Sequence, residues 1–172
     1  MADLLIELFS EEIPAGLQAP AAENLKKLLT HGMVEAGLTY ANASAFHTAR
    51  RLTLVVEGLL DASPTVQEER KGPKVGAPEQ AISGFLRGAG LSMDDLEVRD
   101  DKKGQVYFAK ITKPGRPAAE IVAEVLEATI RTFPWPKSMR WGSGSLRWVR
   151  PLQSILCILS NEAEVSVVPL EV

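Results

Sequence analysis

The strongest constraint on the fold lies in residues 117–132, where apolar side chains recur at helical spacing. Ile121, Val122, Val125, Leu126, Ile130 and Phe133 share one face, and Glu120, Glu124, Glu127 and Arg131 share the other. A stripe of that width belongs to a helix that lays one side on a core. Pro117 suits a first helical position, where the missing N–H has no partner to lose. Glu127 stands four residues before Arg131, the favourable order for an ion pair. Such a helix needs an apolar surface to cover, and the chain supplies one in short runs.

Residues 3–9 read as a buried strand ended by Ser-Glu-Glu-Ile-Pro. A helix over about residues 16–36 follows, aligning Leu17, Ala21, Leu25, Leu28, Leu29, Met33 and Ala36. Pro20 marks its first turn or a kink, and Gly37 is placed as its C-terminal cap. Strands are expected at 44–48 and 51–57, then a polar loop over 61–78 that contains Pro64, Pro73 and Pro78. A short helix at 79–89 would bury Ile82, Phe85 and Leu86 and stop at Gly90. Runs at 96–99 and 105–112 flank Asp-Asp-Lys-Lys-Gly and predict a hairpin. Two further strands are expected at 154–159 and 165–172. The order of elements argues for an α+β fold, with a mixed or antiparallel sheet and packed helices. The last apolar run has no polar tail, so residues 1–172 are expected to be a fragment of a longer protein, with a possible subdivision near 61–78.

Composition narrows the function classes. The chain is 45% hydrophobic and 24% charged, with a net charge of −3. That is the make-up of a globular protein, neither a disordered tail nor a membrane protein. No run approaches the roughly 20 apolar residues of a membrane helix, and the acidic start does not read as a signal peptide. A soluble, cytoplasmic protein is expected. The single cysteine, Cys157, sits inside an apolar run and reads as a buried thiol, consistent with a reducing compartment. With His31 and His47 as the only histidines, no zinc site is expected. His31 is expected to meet the carbonyls at a helix end. Walker A spacing is absent, and Gly142-Ser-Gly144-Ser reads as a turn. Glu11 and Glu12 are expected to pair with arginines or cap the next helix. No catalytic residue emerges.

Charge is distributed unevenly. No acidic residue lies between Glu127 and Glu162, while Arg131, Lys137, Arg140, Arg147 and Arg150 do. Trp135, Trp141 and Trp148 fall in the same interval, whose centre reads FPWPKSMRWGSGSLRWVRP. Cationic groups interleaved with aromatics suit looped or single-stranded RNA, because guanidinium groups neutralise phosphates and indoles stack on unpaired bases. The same pattern serves a second purpose: tryptophans that pack an irregular loop onto its domain, with arginines stacked on them or paired to carboxylates. Smaller basic clusters occur at Arg50-Arg51 and in RKGPKVG, which carries Arg70, Lys71 and Lys74.

These segments resemble the beta subunit of bacterial two-subunit glycyl-tRNA synthetases. LLIELFSEEIPA at 4–15 is similar to the family's opening LL-E-I-G-T-E-E-L-P, and TARRLTL at 48–54 to T-P-R-R-L-A-L. KGP at 71–73, AISGFLRGAG at 81–90 and KGQVYFA at 103–109 follow in the family's order. PKSMRWGSGSLRWVRPLQSIL at 136–156 resembles its most distinctive stretch, P-K-S-M-R-W-G followed by R-F-V-R-P. Phe9 and Ser10 replace a small Gly-Thr pair, and Ala49 replaces a proline. The family's subunit is far longer, so the resemblance is to its N-terminal region.

The resemblance implies an α2β2 class II ligase that joins glycine to tRNA(Gly), with ATP and Mg used in the alpha subunit. It implies that the beta subunit engages tRNA, and that this region has no catalytic site and binds no cofactor. Arg50, Arg51, Lys71, Lys137, Arg140, Arg147, Arg150 and Trp141 are the expected tRNA-facing residues. The alternative is a purely structural scaffold without direct tRNA contact. Lys137-Ser-Met-Arg140 resembles a class I lysine loop only superficially, because no HIGH-type partner precedes it.

Overall fold

The structure, a computed structural model, describes all residues 1–172. The fold is α+β, and every strand pairing is antiparallel. The chain divides into two compact units, one made of Met1–Ser63 and Arg116–Val172, the other of Pro64–Gly115.

In the larger unit, β1 (Ala2–Ser10), β2 (Asn42–His47), β3 (Arg51–Leu59) and two late strands form one sheet. The late strands precede the chain's end and are separated by the whole smaller unit in sequence; the spatial order is β2, β3, β1, then the two late strands. β1 is central because its even residues Leu4, Ile6 and Leu8 are all fully buried, as alternation on a half-covered sheet demands. A bulge between Ala2 and Leu4 accommodates Gly58 at φ +65, where a side chain would meet the Cβ of Ala41 at 2.8 Å.

Helix α1 (Ala15–Glu35) buries Ala21, Ala22, Leu25, Leu29, Thr30 and Met33. Leu28, expected on that stripe, is 37% exposed. Pro20 lies inside the helix, in its second turn, and Gly37 follows the end at φ +92. The expected polar loop over 61–78 is a correction: Val66–Lys74 is a strand, β4. Its charged side chains pair across the smaller unit's sheet instead of entering a core, so no apolar alternation announces it. Gly72 and Pro73 fall where the register shifts between Lys71 and Lys74, a place where proline is tolerated.

The smaller unit continues with α2 (Glu79–Ala89), β5 (Leu96–Asp101) and β6 (Gly104–Lys113), in the order β4, β6, β5. Gly90 closes α2 in the left-handed region at φ +67. The helix has the expected bounds, but Ile82, Phe85 and Leu86 are only half-buried. A unit this small has little core to offer. Phe85 packs on Gly72, where an added Cβ would sit 2.7 Å from its ring.

Helix α3 (Ala118–Arg131) returns to the larger unit and buries Ile121, Val122, Leu126, Thr129 and Ile130. It crosses α1 closely at Gly32, whose hypothetical Cβ would lie 2.6 Å from Val125 Cγ1. Then come β7 (Leu152–Ser160) and β8 (Val165–Val167). The strand expected over 165–172 thus stops after three residues, although Val168 N–H still donates to the Cys157 carbonyl at 2.9 Å. No helix is long and apolar enough to cross a membrane.

Candidate nucleic-acid interface

One end of the larger sheet gathers Arg50, Arg51 and Arg150. In register, Phe9 faces Arg51 on β3 and Ser154 on β7, and Ser10 faces Leu152. The end of β1 therefore meets the starts of β3 and β7, and the loops before those starts carry Arg50 and Arg150. The chain leaving β1 ties them together: Ser10 N–H donates to the Arg50 carbonyl at 2.9 Å, Glu11 N–H to Pro151 at 2.9 Å, and Ile13 N–H to Ala49 at 2.7 Å.

Electrostatics separates these residues into two groups. Arg50 is paired with Glu11 at 2.7 Å, and Arg51 with Glu7 at 3.1 Å. Glu11 also accepts from the Gln153 amide. Both arginines lie against the Phe9 ring, with Cζ at 5.9 Å for Arg50 and 4.6 Å for Arg51. The bulky residue in place of the family's small one thus forms a platform for them. Lys71 belongs to the smaller unit and is paired with Asp101. There Arg99 bridges Glu69 at 2.8 Å and Glu97 at 3.0 Å, holding both carboxyls below their ordinary range. Lys71 likewise lowers Asp101, with help from the Lys102 backbone N–H.

The second group lies in the acid-free segment. Met139 and Trp148 exchange backbone hydrogen bonds of 2.8 and 3.1 Å, pinching residues 140–147 into a closed loop. Arg147 donates to Ser138, at 3.2 Å to its Oγ and 3.3 Å to its carbonyl, and Arg150 donates to the Val149 carbonyl at 2.8 Å. Lys137, Arg140 and Arg147 are exposed, Arg150 is half-buried, and none of the four takes part in an ion pair.

The tryptophans divide differently. Trp148 is fully buried, and its ring lies 4.9 Å from both Phe133 and Trp135. Phe133 and Trp135 are themselves 4.7 Å apart. This cluster anchors the loop to the core, so Trp135 and Trp148 do the packing work that the second reading of the sequence describes. Trp141 is half-buried and lines an open cleft of about 490 Å³ with Leu146, Leu152, Ile155 and Leu170. No ionisable side chain lines that cleft.

The family model for the glycyl-tRNA synthetase beta subunit matches residues 4–172. The chain belongs to that family. It is 75% identical over its whole length to the glycine–tRNA ligase beta subunit of Ruegeria sp. (strain TM1040). Identity is 71% to the same subunit of Paracoccus denitrificans (strain Pd 1222), again over the whole chain, and 73% over 99% of it to that of Cereibacter sphaeroides. The chain spans about a quarter of the length of these relatives, 24–25%.

Within this beta-subunit chain, several features had no signal in the sequence. Ser138 as the seat of Arg147 and Phe133 against Trp148 depend on the loop's closure, and Gln153 as a partner of Glu11 on the pairing of β1 with β7, none of which a local pattern encodes. Glu11, in contrast, was expected to pair with an arginine and does. His31 does not meet the helix-end carbonyls: its Nε2 lies 3.3 Å from Glu35 Oε1 one turn on. Cys157 is buried, and burial pushes its thiol up to about 12, which makes it a poor nucleophile.

Proposed function

We propose that this region engages tRNA(Gly) within an α2β2 glycine–tRNA ligase and helps assemble it. Adenylate formation, with its ATP and Mg, then falls to the alpha subunit's class II core. The observation that carries the reading is the pinched loop of residues 140–147 and the Lys137 just before it: Lys137, Arg140 and Arg147 stand exposed with no carboxylate partner. An unpaired guanidinium can release phosphate counterions without first breaking an ion pair. Arg50, Arg51 and Lys71 would each have to exchange a carboxylate for a phosphate. They rank second as contacts for that reason, and Arg150 is half-buried and donates to the Val149 carbonyl.

The aromatic part of the site is reduced to Trp141, because Trp148 is core and Trp135 packs edge-on against it. That burial favours a second reading, in which the segment is a scaffold without tRNA contact. The two diverge in one experiment. Charge reversal of Arg140 and Arg147 in the assembled ligase should weaken tRNA binding and flatten its salt dependence while assembly is intact. Unchanged affinity with impaired assembly would support the scaffold instead.

A further inference from the structure

Helices α1 and α3 bury one face of the five-stranded sheet through Leu4, Ile6, Leu8, Leu54 and Cys157. The opposite face, which carries Asp3, Glu7, Arg51 and Glu57 on its inner strands, also has an apolar part. Ser44, Val55, Leu5, Ile158 and Val167 stand in register across all five strands, and Phe46, Thr53, Glu7 and Leu156 form the neighbouring row. Val165 and Val167 are 71% and 72% exposed, Phe46 57% and Leu156 40%. An antiparallel sheet with one wet face ordinarily alternates apolar inward with polar outward. β7 and β8 break that rule here. Single exposed apolar side chains are ordinary on a protein surface, but a contiguous group of this kind marks an interaction site.

The chemistry of the face limits its occupant. Its central charge, Glu7, is neutralised by Arg51 at 3.1 Å. Neither row carries an unpaired cation, and the loop of residues 140–147 lies outside both rows. The face calls for an apolar protein surface. The relatives are about four times the length of this chain, which covers 25% of them. A segment tethered in the same polypeptide meets the face at an effective concentration of order mM, an advantage no separate subunit has.

We propose that the open face of this sheet docks an apolar segment from the remaining three quarters of the same subunit. The test is side-chain footprinting of the beta subunit at the length of its relatives, alone and then with its partner subunit. Phe46, Leu156 and Val167 should lose reactivity about tenfold relative to the urea-unfolded chain, as residues in a packed interface core do, while exposed Val34 stays reactive. That protection should be present in the isolated subunit and independent of its concentration. Leu156→Asp should restore reactivity at Phe46 and Val167 with Cys157 still shielded. If that variant unfolds, Val167→Asp at the sheet's edge gives the same reading. Protection that arrives only with the partner subunit, or only at high concentration, would overturn the proposal in favour of a partner or a second copy. Reactivity throughout would overturn it in favour of a free face.

Discussion

Met139 and Trp148 hold each other by two backbone hydrogen bonds, of 2.8 and 3.1 Å, with a fully buried indole on one side of the pair. This one relationship lets an eight-residue Gly- and Ser-bearing loop present cations to solvent while its base is part of the core. It also separates the residues that should affect stability from those that should affect binding.

Arg140→Glu and Arg147→Glu should leave the melting temperature within a degree or two, since surface changes of this kind usually cost under about 0.5 kcal/mol. In the assembled ligase, each should lower tRNA affinity roughly tenfold and reduce the slope of log K against log salt by about 1. Filter binding across a salt series checks both numbers. An undiminished slope would remove these residues from the interface.

Trp148→Ala should destabilise the larger unit by about 3–5 kcal/mol through the cavity it leaves beneath the loop. Trp135→Phe should cost under about 1 kcal/mol, because the buried Trp135 Nε1 has no hydrogen-bond partner and its removal relieves that group. Urea titration of the two variants gives the comparison. Equal losses would mean that the cluster does not divide as described.

Gly32→Ala should destabilise by about 1–3 kcal/mol, although alanine is the better helix former by up to about 1 kcal/mol. The cause is the 2.6 Å approach to Val125 Cγ1. Val125→Ala in the same chain should recover most of the loss. Additive effects of the two substitutions in a double-mutant cycle would exclude direct contact between α1 and α3 at this point.

Acid should loosen the smaller unit. Hydrogen bonds from Arg99 depress Glu69 and Glu97, and those from Lys71 and the Lys102 N–H depress Asp101. A depressed carboxylate contributes stability above its unfolded pKa and loses it as pH falls through the folded value. Amide exchange in β4, β5 and β6 should therefore accelerate as pH drops below about 4, after correction for the intrinsic rate. Arg99→Leu should remove most of the Glu69 and Glu97 share of that dependence. An unaltered pH profile in this variant would show that the ion pairs are too solvent-screened to matter.

Elements that pack by a repeating pattern are legible along the chain. The apolar run of β1, the partial alternation of β3 and the stripe of α3 follow from which side chains must leave water, and the helix bounds at 79–89 follow from proline and glycine at the ends. Motif order likewise placed the chain in its family without reference to any contact. β4 escaped because its stabilisation lies in ion pairs and backbone bonds to β6, which leave no apolar period to read. What each charge and each tryptophan does depends on contacts between segments far apart along the chain. Trp148 and Trp141 are alike in local sequence, yet one is core and the other lines a cleft. Arg51 and Arg140 are alike in chemistry, yet one is neutralised by Glu7, 44 residues away, and the other has no carboxylate within reach. Partners of that kind are set by sheet register and loop closure. These are long-range consequences of burying the core, and no local window of the chain contains them.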